Sequence, residues 1–285
     1  MTVSISIDGN SLRILNASGK KVDKWDNVSF DSHLVKDGLI TDAAQMGQTI
    51  KEALKERHLS TKNVRWSLPS IGSASQIVTL PQGSKAKTEV LVQREARRTL
   101  SVSPETSYLN WQLLPKVGTE QQAYVVASPR ELIRTLLETC KIAGVSIGSI
   151  DLKALALARA VGQENAIIAD GEANSVEIII MLGSIPSLMR GVWIREKDLD
   201  TGRVSALLLQ QLASTIEYHN DMSRSTPLPS DVPVYLTGEA ALNPELAQRV
   251  NTLSSRTVAS LEPPLTYPEH FPLSLYMTNI GLTLK

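Results

Sequence analysis

Two stretches of the chain share one hydrophobic pattern. Ser4-Ile-Ser-Ile leads to Asp8-Gly9-Asn10-Ser11 and then to Leu12-Arg-Ile-Leu15. Much later, Ala166-Ile-Ile-Ala leads to Asp170-Gly171-Glu-Ala-Asn-Ser175 and then to Val-Glu-Ile-Ile-Ile180. Apolar runs on both sides of Asp-Gly predict a hairpin, because the tight turn needs positive φ, which glycine adopts without a Cβ clash. Such a turn can present backbone N–H groups to a phosphate, while its Asp can hold a Mg²⁺-bound water. The second Asp-Gly follows the first by 162 residues (170 − 8). That spacing predicts two related halves facing one nucleotide. Val234-Tyr-Leu-Thr237-Gly238-Glu239 reads as a strand passing through a glycine turn into a helix, where backbone would approach a base or ribose.

Between these stretches the period switches repeatedly. Met46, Ile50 and Leu54 lie on one stripe of a helix over 43–57, entered through Thr41 or Asp42 as N-cap. Val64–Leu68, Ser75–Leu80, the run from Trp111 and Gln122–Ala127 read as strands, and Thr88–Leu100 as a helix. Residues 38–129 are therefore expected to form an α+β subdomain, inserted between a first half (1–37 with 130–165) and a second half (166–285). Ser128-Pro129 predicts a helix start with Ser as cap, running to Ala143 and stopped by Gly144. Asp151 is expected to cap a helix over Leu152–Val161. Val204, Leu208, Leu212 and Ile216 predict an amphipathic helix to Asn220, and Leu273–Leu284 a closing segment.

Composition narrows the function more than it defines it. The 285 residues carry 29 Lys plus Arg and 29 Asp plus Glu, so no basic field steers the chain to nucleic acid or to an anionic membrane. The most apolar stretch, Val176–Met189, is too short for a bilayer span and holds Gly183 and Pro186. With no signal-like N-terminus and a single cysteine, Cys140, set among Leu136, Leu137 and Ile142, a cytoplasmic protein with an inert buried thiol is expected. The four histidines, His33, His58, His219 and His270, form no metal-ligand spacing, and no P-loop is present. Arg94, Arg97 and Arg98 share a helical face that suits solvent or a partner.

The order of several motifs resembles the PilM family of type IV pilus assembly proteins, relatives of the cell-division protein FtsA. The motifs are Ile7-Asp-Gly-Asn-Ser-Leu-Arg-Ile, Asp37-Gly-Leu-Ile-Thr-Asp42, Val92-Gln-Arg-Glu-Ala-Arg-Arg with Tyr108-Leu-Asn-Trp-Gln, Ile150-Asp151-Leu with Ala154-Leu-Ala-Leu-Ala-Arg-Ala160, Leu236-Thr-Gly-Glu and Ile280-Gly-Leu-Thr-Leu. The resemblance implies an α/β actin-like (duplicated ribonuclease H-like) fold with an inserted α+β subdomain. It implies a nucleotide cleft using Asp8, Gly9, Asn10, Ser11, Asp170, Gly171 and Gly238, with Asp8 and Asp170 serving Mg²⁺ and Mg-ATP or Mg-ADP as ligand. It also implies a cytoplasmic scaffold, recruited to the inner face of the membrane by the N-terminal tail of a PilN-like bitopic inner-membrane protein. Gly38–Ile40 and the strands between Trp66 and Leu80 are the places considered for that tail, with no groove residue assigned.

The departures from the family pattern weigh against hydrolysis. Glu172 puts a carboxylate where phosphate should approach, and Glu239 follows a lone Gly238 where paired glycines are usual. Only Glu196–Arg203 separate one strand from the next helix, too few residues for the helical subdomain the family carries there. The expected role is an adaptor with a degenerate nucleotide site and no catalytic residue; the alternative is a Mg-ATP-binding ATPase or nucleotide switch.

Overall fold

Three antiparallel strands open the chain: β1 (Thr2–Asp8), β2 (Ser11–Ser18) and β3 (Lys21–Ser29). The computed structural model describes residues 1–81, 87–100, 103, 105–116, 118–194 and 201–285. A small hairpin follows, β4 (Val35–Lys36) and β5 (Leu39–Ile40), and then α1 (Ala43–Glu56), whose first turn is capped by Asp42 accepting from the Gln45 N–H at 2.9 Å. Then come β6 (Val64–Leu68), β7 (Ala74–Leu80), α2 (Thr88–Leu100), β8 (Ser107–Leu113), β9 (Gln121–Pro129) and α3 (Arg130–Ala143). The chain continues through β10 (Ile147–Leu152), α4 (Lys153–Val161), β11 (Ala166–Glu172), β12 (Ser175–Leu182) and β13 (Ile185–Trp193). It ends with α5 (Thr201–Met222), β14 (Val234–Thr237), α6 (Pro244–Ser254) and α7 (Leu273–Thr283).

The chain divides into two compact units, Met1–Ile71 with Leu136–Lys285, and Gly72–Thr135. The first holds a five-stranded sheet in the order β10-β6-β1-β2-β3 and a four-stranded sheet in the order β13-β12-β11-β14. Each is built from three antiparallel strands, with a further strand running parallel to the first. The second unit is a three-stranded antiparallel sheet, β7-β9-β8, with α2 over the face formed by Val78, Leu80, Ala123 and Val125. The insertion expected over 38–129 is thus smaller and displaced. β6 cannot belong to it, because Val64–Leu68 pairs with both β1 and β10 in the interior of the first sheet.

Repetition between the two sheets is stricter than the Asp-Gly match suggested. β11, β12 and β13 begin 164 residues after β1, β2 and β3 (166 from 2, 175 from 11, 185 from 21) and have the same lengths. The register therefore places Glu172, not Asp170, opposite Asp8 in the repeat, and Glu177 opposite Arg13. The first hairpin turns at Gly9-Asn10, with Gly9 at φ +62°, between the paired Asp8 and Ser11. The second turns at Ala173-Asn174, between the paired Glu172 and Ser175. Asp170-Gly171 is no turn: both lie inside β11, paired with Glu177 and Val176. Gly171 is there for packing, since a Cβ would stand 2.6 Å from the Ala240 Cβ.

Two other expected caps are absent. Ser128 is a residue of β9, and α3 starts after it at Arg130. Leu152, not Asp151, holds the position before α4 and makes no side-chain cap; Asp151 lies inside β10 and accepts from Arg159 instead. Gly144 does stop α3, at φ +71°. The Glu196–Arg203 connection lies largely outside the described residues, which lack 195–200; α5 begins at Thr201.

The two sheets of the larger unit sandwich α4 and α7. Leu157, Ala160, Met277 and Ile280 pack with Leu15 of the first sheet and Ile168 of the second. Ile167, Ala169 and Ile178 turn to the opposite face, against Leu208 and Leu212 of α5. Burial on both faces is why β11 and β12 read as unbroken apolar runs rather than alternating ones. α4 and α7 touch through Gly281, whose added Cβ would lie 1.8 Å from the Ala156 carbonyl oxygen. Because that collision is with backbone, Gly281→Ala is expected to cost about 3 kcal/mol and to lower the thermal midpoint by several degrees, checked by calorimetry.

Candidate functional site

The end of β1 and the end of β11 meet at a buried group of charges. Lys153, the first residue of α4, is 4 % exposed. Its Nζ lies 2.6 Å from Asp8 Oδ1 and 2.7 Å from Asp170 Oδ2, tying a strand of one sheet to a strand of the other. Arg13, on β2 and 1 % exposed, donates through Nη1 and Nη2 to the two oxygens of Glu172, both at 2.7 Å. It also reaches Asp8 at 3.3 Å, the half-exposed Glu239 at 3.2 Å and the Leu275 carbonyl at 3.1 Å. Glu177 of β12 is buried beside Lys153 and hydrogen-bonds to Ser70.

Neutral side chains complete the cluster. The Thr237 hydroxyl donates to Asp170 Oδ1 at 2.7 Å. The Ser6 hydroxyl lies 3.0 Å from Asp8 Oδ2 and 3.1 Å from Asn279 Oδ1, and the Asn279 amide donates to the carbonyls of Ser4 and Arg13. α7 is thereby bonded to both strands of the first hairpin.

Two buried cations thus face four buried carboxylates, and unbalanced charge in a low-dielectric interior is expensive. The titration behaviour follows. Burial opposes ionisation of Asp8, but Lys153 and Arg13 outweigh it and hold its pKa below the ordinary aspartate value. Burial likewise opposes charge on Arg13 and Lys153, yet Glu172 for the first and Asp170 and Asp8 for the second raise both pKa values. Glu172 and Glu177 absorb the imbalance: burial pushes each up to about 7, against the opposing pull of Arg13 and Lys153 respectively.

Most of the residues expected at a nucleotide site converge here. Asp8 and Asp170 share Lys153. A Cβ on Gly9 would stand 3.3 Å from the Ala173 Cβ of the second hairpin, and one on Gly238, at φ +77°, would lie 2.5 Å from the Gly171 carbonyl and 2.9 Å from Glu172 Oε1. Ser11 is buried at the base of the first turn, whereas Asn10 is exposed and gives its carbonyl to the Phe30 N–H. Gly238 leads into one turn of 3-10 helix, and α6 begins only at Pro244, capped by Asn243. Arg13, Lys153, Glu177 and Trp193 were not anticipated. The signal for the first two was present: a cation between apolar residues of a strand, and another at the head of a largely apolar helix. The space left beside Asp8, Gly9, Lys153 and Glu177 is a cavity of about 20 Å³, which Trp193 and Pro69 help to line. That is room for one water; small-molecule sites run to several hundred Å³.

Cys140 is buried, and burial pushes its thiol up to about 12. Among the described residues no cluster of His, Cys, Asp and Glu is arranged to hold a metal ion, and no helix is long and apolar enough to cross a membrane.

A family model, described as type IV pilus assembly protein PilM, matches residues 5–198. The chain belongs to the PilM family. Among solved structures, this PilM-family chain is similar to one titled PilM-PilN type IV pilus biogenesis complex, with TM-score 0.80, 19 % identity, and coverage of 99 % of this chain and 97 % of that one. It is similar at TM-score 0.57 and 13 % identity to the cytoplasmic domain of EpsL, an inner-membrane component of the type II secretion system of Vibrio cholerae, covering 100 % and 95 %. EutJ, an ethanolamine utilization protein of Carboxydothermus hydrogenoformans, matches at TM-score 0.53 and 13 % identity over 99 % and 89 %. No curated protein sequence matches the chain. The fold of this PilM-family protein is actin-like α/β.

Two consequences of the cluster are measurable. Lys153→Met leaves Asp8 and Asp170 facing each other without their shared cation, and should cost about 3–5 kcal/mol in urea unfolding. Glu172 and Glu177 titrate near 7 when folded and near 4.5 when unfolded. The folded state therefore holds more protons between those values, so their contribution to stability falls as pH rises from 4.5 to 7. Glu177→Gln keeps the shape without the charge; it should raise stability at pH 8 by about 2 kcal/mol and flatten that dependence.

Proposed function

We propose that this chain is a type IV pilus assembly scaffold that binds the N-terminal cytoplasmic tail of a PilN-like bitopic inner-membrane protein, and that it works without ATP turnover. Its membership of the PilM family and the resemblance of its fold to the PilM-PilN complex support the partner. On this reading it acts at the inner face of the cytoplasmic membrane, held there by that partner.

The observation that carries the second half of the proposal is the Lys153 bridge. Its ammonium occupies the space between Asp8 and Asp170 that a divalent ion would need. The Glu172 carboxylate already engages Arg13 with both oxygens, and it stands where a phosphate would approach. The residues present do not fit Mg-ATP. Asp8, Gly9, Ser11, Asp170, Gly171 and Gly238 then form the frame of a cleft that the chain fills with its own ions.

Strand order supports one place for the tail. β6 is interior and cannot accept another strand; β7 and β8 are the two edges of the three-stranded sheet, and β7, within the stretch considered for the tail, is the edge we propose for an extended peptide. The test joins two measurements. A synthetic N-terminal tail of a PilN-like protein should bind in calorimetry and slow amide exchange over Ala74–Leu80. Millimolar Mg-ATP or Mg-ADP should leave the thermal midpoint unchanged, where a ligand at about a hundred times its Kd would add roughly 2.7 kcal/mol. A shift abolished in Asp8→Ala would overturn the closed-cleft reading, and failure of the tail to bind would overturn the adaptor.

A further inference from the structure

α2 carries opposite chemistry on its two sides. Leu91, Val92 and Ala96 are buried against β7 and β9, while Val90, Arg94, Arg97 and Arg98 are exposed. Lys87, whose carbonyl accepts from the N–H groups of Val90 and Leu91, continues the outer row. At 3.6 residues per turn these five positions fill a single arc of about 100°. No carboxylate of α2 falls within it, and the acidic neighbour beyond the helix is Glu105, whose charge Arg97 helps to offset. Glu89 lies on the flank, and Glu95 lies beneath, 7 % exposed, accepting from Arg94 at 3.2 Å and from Arg98 at 3.0 Å. The two guanidinium-bearing side chains it steadies are themselves 62 % and 76 % exposed. Residues 72–135 contain eight Lys and Arg against five Glu and no Asp, a net +3 in a chain whose total is zero, so the remainder carries −3.

We propose that this face of α2 docks on an anionic lipid bilayer. Four long cations surround one apolar side chain, Val90, which is 55 % exposed. That is the arrangement in which ammonium and guanidinium groups meet lipid phosphates while an apolar residue enters the interface. The face is convex and has no aromatic or amide side chain in the arc to stack on bases or read them, which counts against nucleic acid. The open groove beside it, about 380 Å³, is lined by Glu95 and Glu120 as well as Arg98, so an acidic peptide would meet repulsion there. Each cation contributes several-fold to partitioning onto an anionic surface, so the contact is weak, additive and screened by salt.

Flotation of the full chain with vesicles tests this. Vesicles of phosphatidylcholine containing about one third phosphatidylglycerol should bind the protein at low salt; pure phosphatidylcholine vesicles should not, and raising the salt several-fold should release it. Lys87→Gln with Arg97→Gln removes two cations that make no contact with Glu95, so the Arg94–Glu95–Arg98 group stays intact. That double variant should bind about tenfold more weakly with an unchanged circular dichroism spectrum and thermal midpoint. Equal binding to both vesicle types would overturn the proposal, as would an undiminished double variant. Tighter binding to an oligonucleotide or to poly-glutamate than to the anionic vesicles would also overturn it, reassigning the face to that class of partner.

Discussion

Everything around the meeting point of the two sheets answers to one constraint: charges removed from water must be compensated within a few ångströms. Asp8, Asp170, Glu172 and Glu177 come from three strands, and Arg13 and Lys153 from a fourth strand and a helix. None would be tolerated alone. Together they specify how β1, β2, β11, β12 and α4 can approach, because moving any of them strands a charge. An apolar core of the same volume would hold the sheets as firmly but with less regard for register. Two carboxylates in excess of the cations are held partly protonated, so the arrangement is not saturated at neutral pH.

The apolar helices α4 and α7 complement that polar centre. They lie between the sheets, and their close crossing at Gly281 keeps the hydrophobic filling thin enough for strand ends on either side to exchange hydrogen bonds. Asn279 on α7 belongs to both systems: it is fully buried, flanked by Ile280, and bonded to backbone of the first hairpin. The polar cluster and the core are in this sense one structure.

Much of this architecture was legible in the residues. The β1–β2 hairpin, the Asp42 cap, the helix stop at Gly144 and the long amphipathic α5 follow from local rules that tertiary packing left alone. The misreadings have physical causes. Asp170-Gly171 carries the dipeptide of a tight turn, but its glycine answers to the nearness of Ala240, a contact distant in sequence. Ser128 and Asp151 have cap chemistry, yet backbone pairing keeps both in strands. The inserted unit was drawn too wide because β6 looks local until its pairing with β1 and β10 is known. Residues that bear a familiar dipeptide were singled out in the sequence; Arg13 and Lys153, whose meaning lies in what surrounds them, were not.

The 164-residue repeat limits how far its two halves can be exchanged. Under it Arg13 and Glu177 occupy equivalent positions in the two sheets, one a cation and the other an acid, and Asp8 is matched by Glu172. A copy of the first hairpin in place of the second would set an arginine beside Lys153, and a copy of the second in place of the first would set a glutamate against Glu172 and Asp8. The two hairpins repeat in backbone and are not interchangeable in charge.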